Sequence, residues 1–329
     1  MGVLPGQLLV GGLLMQYAPS EHSLVIYLAI LLAVSACSDG DRPVPSSDVE
    51  IPPPIVIPPQ NNVNSANPTL TLADNNDVSP GDALTLVWSD EFDGAQLDSD
   101  VWFFETGDGT EYGIPGWGNN ELQYYLPDNA QLGGGVLTIE ARAESIGQYD
   151  FTSARINTRD RFAFKYGRVE ASMRLPGGQG VWPAFWMLAQ NSPYGGWAAS
   201  GEIDIMEAVN LGGSGGNTVY GTIHYGGEFP NNTFSGETYL VPTNTMTDFH
   251  TYAVEWDATE IRWYVDDVLY AMRNNWSSTG GPFPAPFDEH FYILFNVAVG
   301  GNFPGNPDAN TVFPVTMEVD WVRVYSGEP

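Results

Sequence analysis

Gly201-Glu202-Ile203-Asp204-Ile205-Met206-Glu207-Ala208-Val209 sets three acids into a run of apolar residues. Ile and Val on both sides favour a strand, in which successive side chains alternate between faces, so Glu202 and Asp204 share one face. Glu207 lies at an odd offset from Glu202, and a regular strand would point the two glutamates to opposite sides. A one-residue β-bulge near Ile205-Met206 restores the register and brings all three acids to one face.

With one residue absorbed by the bulge, the glutamates stand four strand steps apart, about 13 Å between Cα atoms. Side chains leaning along the strand can then bring the carboxyls towards the ~5–5.5 Å separation at which one carboxylate attacks a sugar directly and anomeric configuration is retained. An acidic pattern of this kind also fits the solvent face of an ordinary strand. Trp182, Trp186 and Trp197 just upstream shift the reading, because a sugar-binding cleft needs exposed aromatic faces.

Outward from this stretch the chain is a series of short β-rich runs cut by Gly, Pro, Asn and Asp, with no sustained helical period and no internal repeat. Residues 84–92, 136–143, 168–175, 218–225, 249–256, 261–265, 291–299 and 317–325 read as strands. Many strands at close spacing predict an all-β sandwich. About 245 residues are too many for a simple immunoglobulin-like domain and suit a jelly roll with long sheets.

The 329 residues are 43% hydrophobic and 13% aromatic, ample for a large core. Forty acids stand against 11 bases, a net charge of −29. Such a surface repels phosphate backbones, anionic lipid headgroups and sulfated or uronic polymers, so the expected partner is neutral and nucleic acid is excluded. Acidity for solubility or a saline habitat accounts for the charge equally well.

Residues 24–36 form an apolar run ending at Cys37, the one cysteine. It has the length of a signal-peptide core rather than of a membrane span. Val34-Ser35-Ala36-Cys37 resembles a bacterial lipobox, which predicts a lipid anchor on Cys37 and an outer-membrane or cell-surface location; an ordinary cleaved signal is the alternative. Residues 38–81 are rich in Pro, Asn, Ser and Asp and read as an extended tether. The expected organisation is therefore a leader over 1–37, a disordered tether over 38–81 and a catalytic domain over 82–329, acting as a monomer.

Five segments carry a further resemblance: Trp117 to Tyr125 (WGNNELQYY), Gly180 to Met187 (GVWPAFWM), Gly201 to Glu207, Gly221 to Tyr225 (GTIHY) and Asn296 to Asn302 (NVAVGGN). In this order they resemble glycoside hydrolase family 16, and within it the bacterial laminarinases that cut β-1,3-glucans. The resemblance implies a concanavalin A-like β-jelly-roll sandwich with an open cleft on its concave sheet. It implies Glu202 as nucleophile, Glu207 as acid/base and Asp204 as their partner, with no cofactor required for chemistry. Trp117, Trp182, Trp186 and Trp197 are expected to wall the cleft, although a large sandwich also buries Trp for packing. Asn120, Glu121 and Arg155 resemble positions that hydrogen-bond glucosyl hydroxyls, with a structural ion pair as the other reading of Arg155. His224 is placed in the cleft without a catalytic role.

The resemblance also implies a structural calcium away from the chemistry, held by Asp320 of the last strand and by backbone carbonyls at Glu91 and Gly135; hard oxygen donors suit that ion. An agarase or a mixed-linkage β-glucanase is the sibling alternative, a transglycosylase differs only in what intercepts the intermediate, and a non-catalytic glucan-binding module is the alternative from another class. The last would lack the acids that this chain has.

Overall fold

Glu202–Ala208 is a strand inside a sheet, flanked by Val181–Ala189 on one side and Thr218–Tyr225 on the other. The structure is a computed structural model that describes residues 71–74 and 84–326. All of them belong to the second of the two units, 1–61 and 62–329, into which the chain divides. The leader with Cys37 and, apart from residues 71–74, the tether lie outside the described residues.

Two large sheets make a jelly-roll sandwich. The front sheet runs Thr71–Asp74, Phe162–Lys165, Phe291–Val299, Val181–Ala189, Glu202–Ala208, Thr218–Tyr225 and Thr233–Leu240, with Arg155–Asn157 and Phe103–Glu105 attached beside Phe291–Val299. The back sheet runs Val268–Arg273, Ile261–Val265, His250–Trp256, Gly167–Arg174, Val315–Ser326, Leu137–Ala141 and Ala130–Leu132, with Thr85–Asp90 paired to Val315–Ser326. Between the sheets lies one continuous apolar core that includes Phe164, Phe185, Ile203, Tyr252, Trp263 and Phe295.

Phe291–Val299 is buried at all nine positions. Phe291, Ile293, Phe295, Val297 and Val299 enter the main core, while Tyr292 and Leu294 on the other face pack with Ala163, Trp186 and Leu188 in a second small cluster. A strand covered on both faces reads as a near-continuous apolar run, broken here at Asn296. Its one polar interior residue, Asn296, therefore stands out.

The eight strands expected from the sequence are present, and further ones join them. Val181–Ala189 carries Pro183, which argues against a central strand; its pairing with Glu202–Ala208 begins only at Ala184, so Pro183 meets a partner strand on one side. Val268–Arg273 follows a two-residue turn of Asp266 and Asp267, both at positive φ (49° and 61°). Such hairpin turns usually carry Gly or Asn. Here the Thr251 N–H donates to Asp266, and Arg168 pairs with Asp267, which hold the turn.

Part of the stretch read as tether, residues 71–74, joins the sandwich as a strand. Thr71–Asp74 pairs in parallel with Phe162–Lys165, residue against residue from Thr71↔Phe162 to Asp74↔Lys165. The alternation Thr69-Leu70-Thr71-Leu72 carries a strand signal, masked by the Pro/Asn/Ser-rich residues around it. A chain starting at Asn67 should therefore melt higher than one starting at Asp82, which lacks this strand. Equal melting temperatures would show that the pairing contributes nothing.

Candidate active site

The bulge is where the acidic pattern requires it. Trp186 pairs with Asp204 but Phe185 with Met206, and on the other side Asp204 faces Thr222 while Glu207 faces Tyr220. Ile205 and Met206 consequently both enter the core, at 1% and 0% exposure, and Glu207 returns to the face of Glu202 and Asp204. Burial of two consecutive apolar side chains holds the irregularity in place.

Tertiary contacts brace the strand from behind. The Trp263 indole reaches across the core from the back sheet and donates to the Asp204 carbonyl at 2.8 Å. Gly221 makes room for it, because a Cβ there would lie 2.5 Å from the Trp263 ring.

Each glutamate accepts one indole N–H: Trp197 Nε1 donates to Glu202 at 2.9 Å, and Trp182 Nε1 donates to Glu207 at 2.9 Å. Trp197 sits on the short turn Trp197–Ala199 at φ 44° and remains 42% exposed. Opposite Glu202 stands His224, whose Nε2 is 3.4 Å from Asp204 and 3.7 Å from Glu202. Its Nδ1 is buried without a hydrogen-bond partner among the described residues.

The charges in this group are interdependent. Burial and then the Asp204 charge push Glu202 up to about 7, against the pull of His224 and the Trp197 N–H. Burial, again followed by Asp204, raises Glu207 well above the usual carboxylate range. Burial alone would depress His224, but Asp204 and Glu202 outweigh it and hold the imidazole up at about 9, so it is a cation at neutral pH. The nearer cation favours ionisation of Glu202, while Glu207 keeps its proton. One carboxylate is thus suited to attack and the other to donate a proton.

On the Phe291–Val299 side, the motifs around Trp117 and Asn296 meet although they are far apart in sequence. Leu122 N–H donates to the Val299 carbonyl at 2.8 Å, and the Asn120 side-chain amide donates to Asn302 at 2.9 Å. The Glu121 carboxylate accepts from Gln123 (2.7 Å), Asn119 (3.3 Å) and the Tyr125 hydroxyl (3.3 Å). Burial raises its pKa. Asn120 and Glu121 thus have internal hydrogen-bond partners already made.

Two of the expected substrate-binding residues are buried. Trp117 is only 4% exposed and packs against Tyr112, Tyr125 and Arg155, so it supports the wall from beneath rather than offering a stacking face. Arg155 is buried in an ion pair with Glu105, and its guanidinium lies between the rings of Trp117 (4.5 Å) and Trp186 (4.7 Å). The ion-pair reading of Arg155 is the one the structure shows. Trp186 in turn donates to Asn296 Oδ1 at 2.8 Å, and Asn296 donates to the Tyr125 hydroxyl at 3.2 Å. Glu105 carried no signal in the sequence, and Asn296 stood there only as the start of a motif, without a role; its signal is a lone amide in an apolar strand.

The implied calcium position lies on the back sheet. Continued by one and two residues, the registers Val322↔Asp90 and Val319↔Leu137 bring Glu91 and Gly135 opposite Trp321, the residue next to Asp320 in sequence. A register shift against Gly167–Arg174 leaves Asp320 without a partner there, as the extra residue of a bulge. The Glu91 carboxylate is held by both prongs of Arg323 (2.9 and 2.7 Å), so Glu91 has only its carbonyl to offer. One carboxylate plus carbonyls is a hard-oxygen donor set that fits calcium.

Residues 100–323 match the model of glycosyl hydrolases family 16. A glucan endo-1,3-beta-glucosidase A1 of Niallia circulans is 43% identical over 80% of this chain, which spans 42% of that protein's length. A beta-glucanase of Rhodothermus marinus is 45% identical over 73% of the chain and 84% of its own length. Among solved structures, the laminarinase catalytic domain of Thermotoga maritima superposes with a TM-score of 0.67 at 42% identity, over 75% of this chain and all of that one. With three acids bulged onto one face of a jelly roll and the family model covering most of the chain, the protein is a member of glycosyl hydrolases family 16.

Proposed function

We propose that the protein is a retaining endo-β-1,3-glucanase acting on neutral laminarin-type glucans. The observation that carries this reading is the shared face of Glu202, Asp204 and Glu207, each glutamate held by its own indole. Glu202 attacks the anomeric carbon while Glu207 donates its proton to the departing oxygen; Glu207, now a carboxylate, then takes a proton from a water whose oxygen bonds to the anomeric carbon and displaces the Glu202 carboxylate. Asp204 and the His224 cation set the charge balance and enter no bond. The names of the relatives in Niallia and Rhodothermus support the substrate class, and the net charge of −29 favours a neutral polymer over a sulfated one. Incubation with laminarin, lichenan, agarose and carrageenan tests it: oligosaccharides should appear from laminarin, and release from agarose alone would replace the reading with the agarase one.

The His224 charge predicts a pH effect. Removing a cation raises the pKa of a neighbouring carboxyl. In His224→Gln the acidic limb of kcat/KM, which follows ionisation of Glu202 at about 7, should therefore move to higher pH. An unmoved limb would mean that His224 does not govern this charge.

We also propose a structural calcium at Asp320, with the carbonyls of Glu91 and Gly135. Chelator should lower the melting temperature of the parent, and Asp320→Ala should melt alike with and without calcium. A parent insensitive to chelator removes the site.

A further inference from the structure

Across antiparallel strands, directly opposed residues share a face. Glu202 opposes His224, and His224 opposes Phe234 on the next strand, Thr233–Leu240, at the edge of the front sheet. Phe234 therefore faces the same side as the acids, yet it is 68% exposed. The rings form a continuous run: Trp197 lies 5.5 Å from His224, and His224 lies 5.7 Å from Phe234, with interplanar angles of 36° and 35°. The inner end of the run donates to Glu202 and the outer end is open to solvent.

The surroundings of Phe234 fit an extended, flat ligand. Two residues on, Gly236 opposes Thr222 and presents no side chain to the cleft, and Thr238 opposes Tyr220, which itself opposes Glu207. A flat position thus lies between Phe234 and Thr238. The loop before this strand carries Phe229, 77% exposed, and its neighbour Glu228 accepts the Gly196 N–H at 2.7 Å, which ties the loop to the turn bearing Trp197. On the other flank of the acids stand Trp186 and Asn296, backed by Arg155.

We propose that Phe234 is the stacking platform of a second glucan-binding flank, beyond His224 and on the far side of the acids from Trp186. Its ligand is a neutral pyranose of the same chain that lies across Glu202 and Glu207, whose apolar C–H face covers the ring. The flank makes long chains bind better than short ones and so directs the enzyme to interior bonds. This inference rests on the β-glucanase reading above.

The test uses the Glu207→Gln protein, titrated calorimetrically with β-1,3-glucan oligosaccharides of increasing length. Affinity should rise with length. In Glu207→Gln/Phe234→Ala, long oligosaccharides should bind about tenfold more weakly while the shortest bind unchanged, and Phe234→Tyr should restore the long-chain affinity. Equal affinities at every length with and without Phe234 would overturn the flank while leaving the glucanase reading intact. If the Glu207→Gln protein binds no β-1,3-glucan at any length, the glucanase reading fails and the flank with it. Because Phe234 is exposed, its replacement leaves the core untouched, and an unchanged melting temperature verifies this.

Discussion

Glu207→Ala should lose laminarin cleavage by on the order of 10²–10⁴-fold, because the departing sugar oxygen loses the proton that the Glu207 carboxyl delivers. Glycosylation by an aryl β-1,3-glucoside with an acidic phenol should fall far less, since that leaving group departs unprotonated. Azide, which needs no general base, should then accelerate turnover and give a β-glycosyl azide. Glu202→Ala should abolish hydrolysis of both substrates, and an α-glycosyl fluoride donor should reveal residual chemistry of opposite stereochemistry. The contrast depends on the bulge at Ile205-Met206, which gives the two carboxyls one substrate to share. Parent-like cleavage of laminarin by the Glu207 variant, or α-configured products from the parent, would sink both the assignment and the retaining mechanism.

Arg155→Leu should destabilise the protein by about 3–5 kcal/mol, a large fraction of the stability of most domains. The change strands the Glu105 carboxylate in the interior without its partner, as both side chains are more than nine-tenths buried. It also removes the plane between Trp117 and Trp186, so the wall that holds Trp186 against Asn296 loosens. Urea unfolding of parent and variant measures the first effect, and weaker glucan binding at residual stability should report the second. Glu105→Gln/Arg155→Leu should recover part of the loss, because the stranded charge is gone. A single variant within about 1 kcal/mol of the parent would show that the pair is not a structural element.

Much was legible along the chain because its cause is local. Alternation and β-branched runs mark strands wherever one face meets the core, and the odd spacing of Glu202 and Glu207 announces a bulge once all three acids must face one way. The apolar run 291–299 reads as a strand, while its burial on both faces is a result of packing. What remained hidden depends on partners distant in sequence. Trp117 and Trp197 are the same residue type in similarly glycine-rich loops, yet one is enclosed by Tyr112, Tyr125 and Arg155 while the other stays 42% exposed and donates to Glu202. Arg155 became an ion-pair partner only when the fold set Glu105 beside it on the adjacent strand, in the register Glu105↔Arg155. Thr71–Asp74 became a strand only because Phe162–Lys165 offered an edge to pair with. Residue spacing determines which face a side chain takes, a property of the backbone repeat; whether that face is wall, floor or interior depends on what packs against it, and this only the assembled sandwich decides.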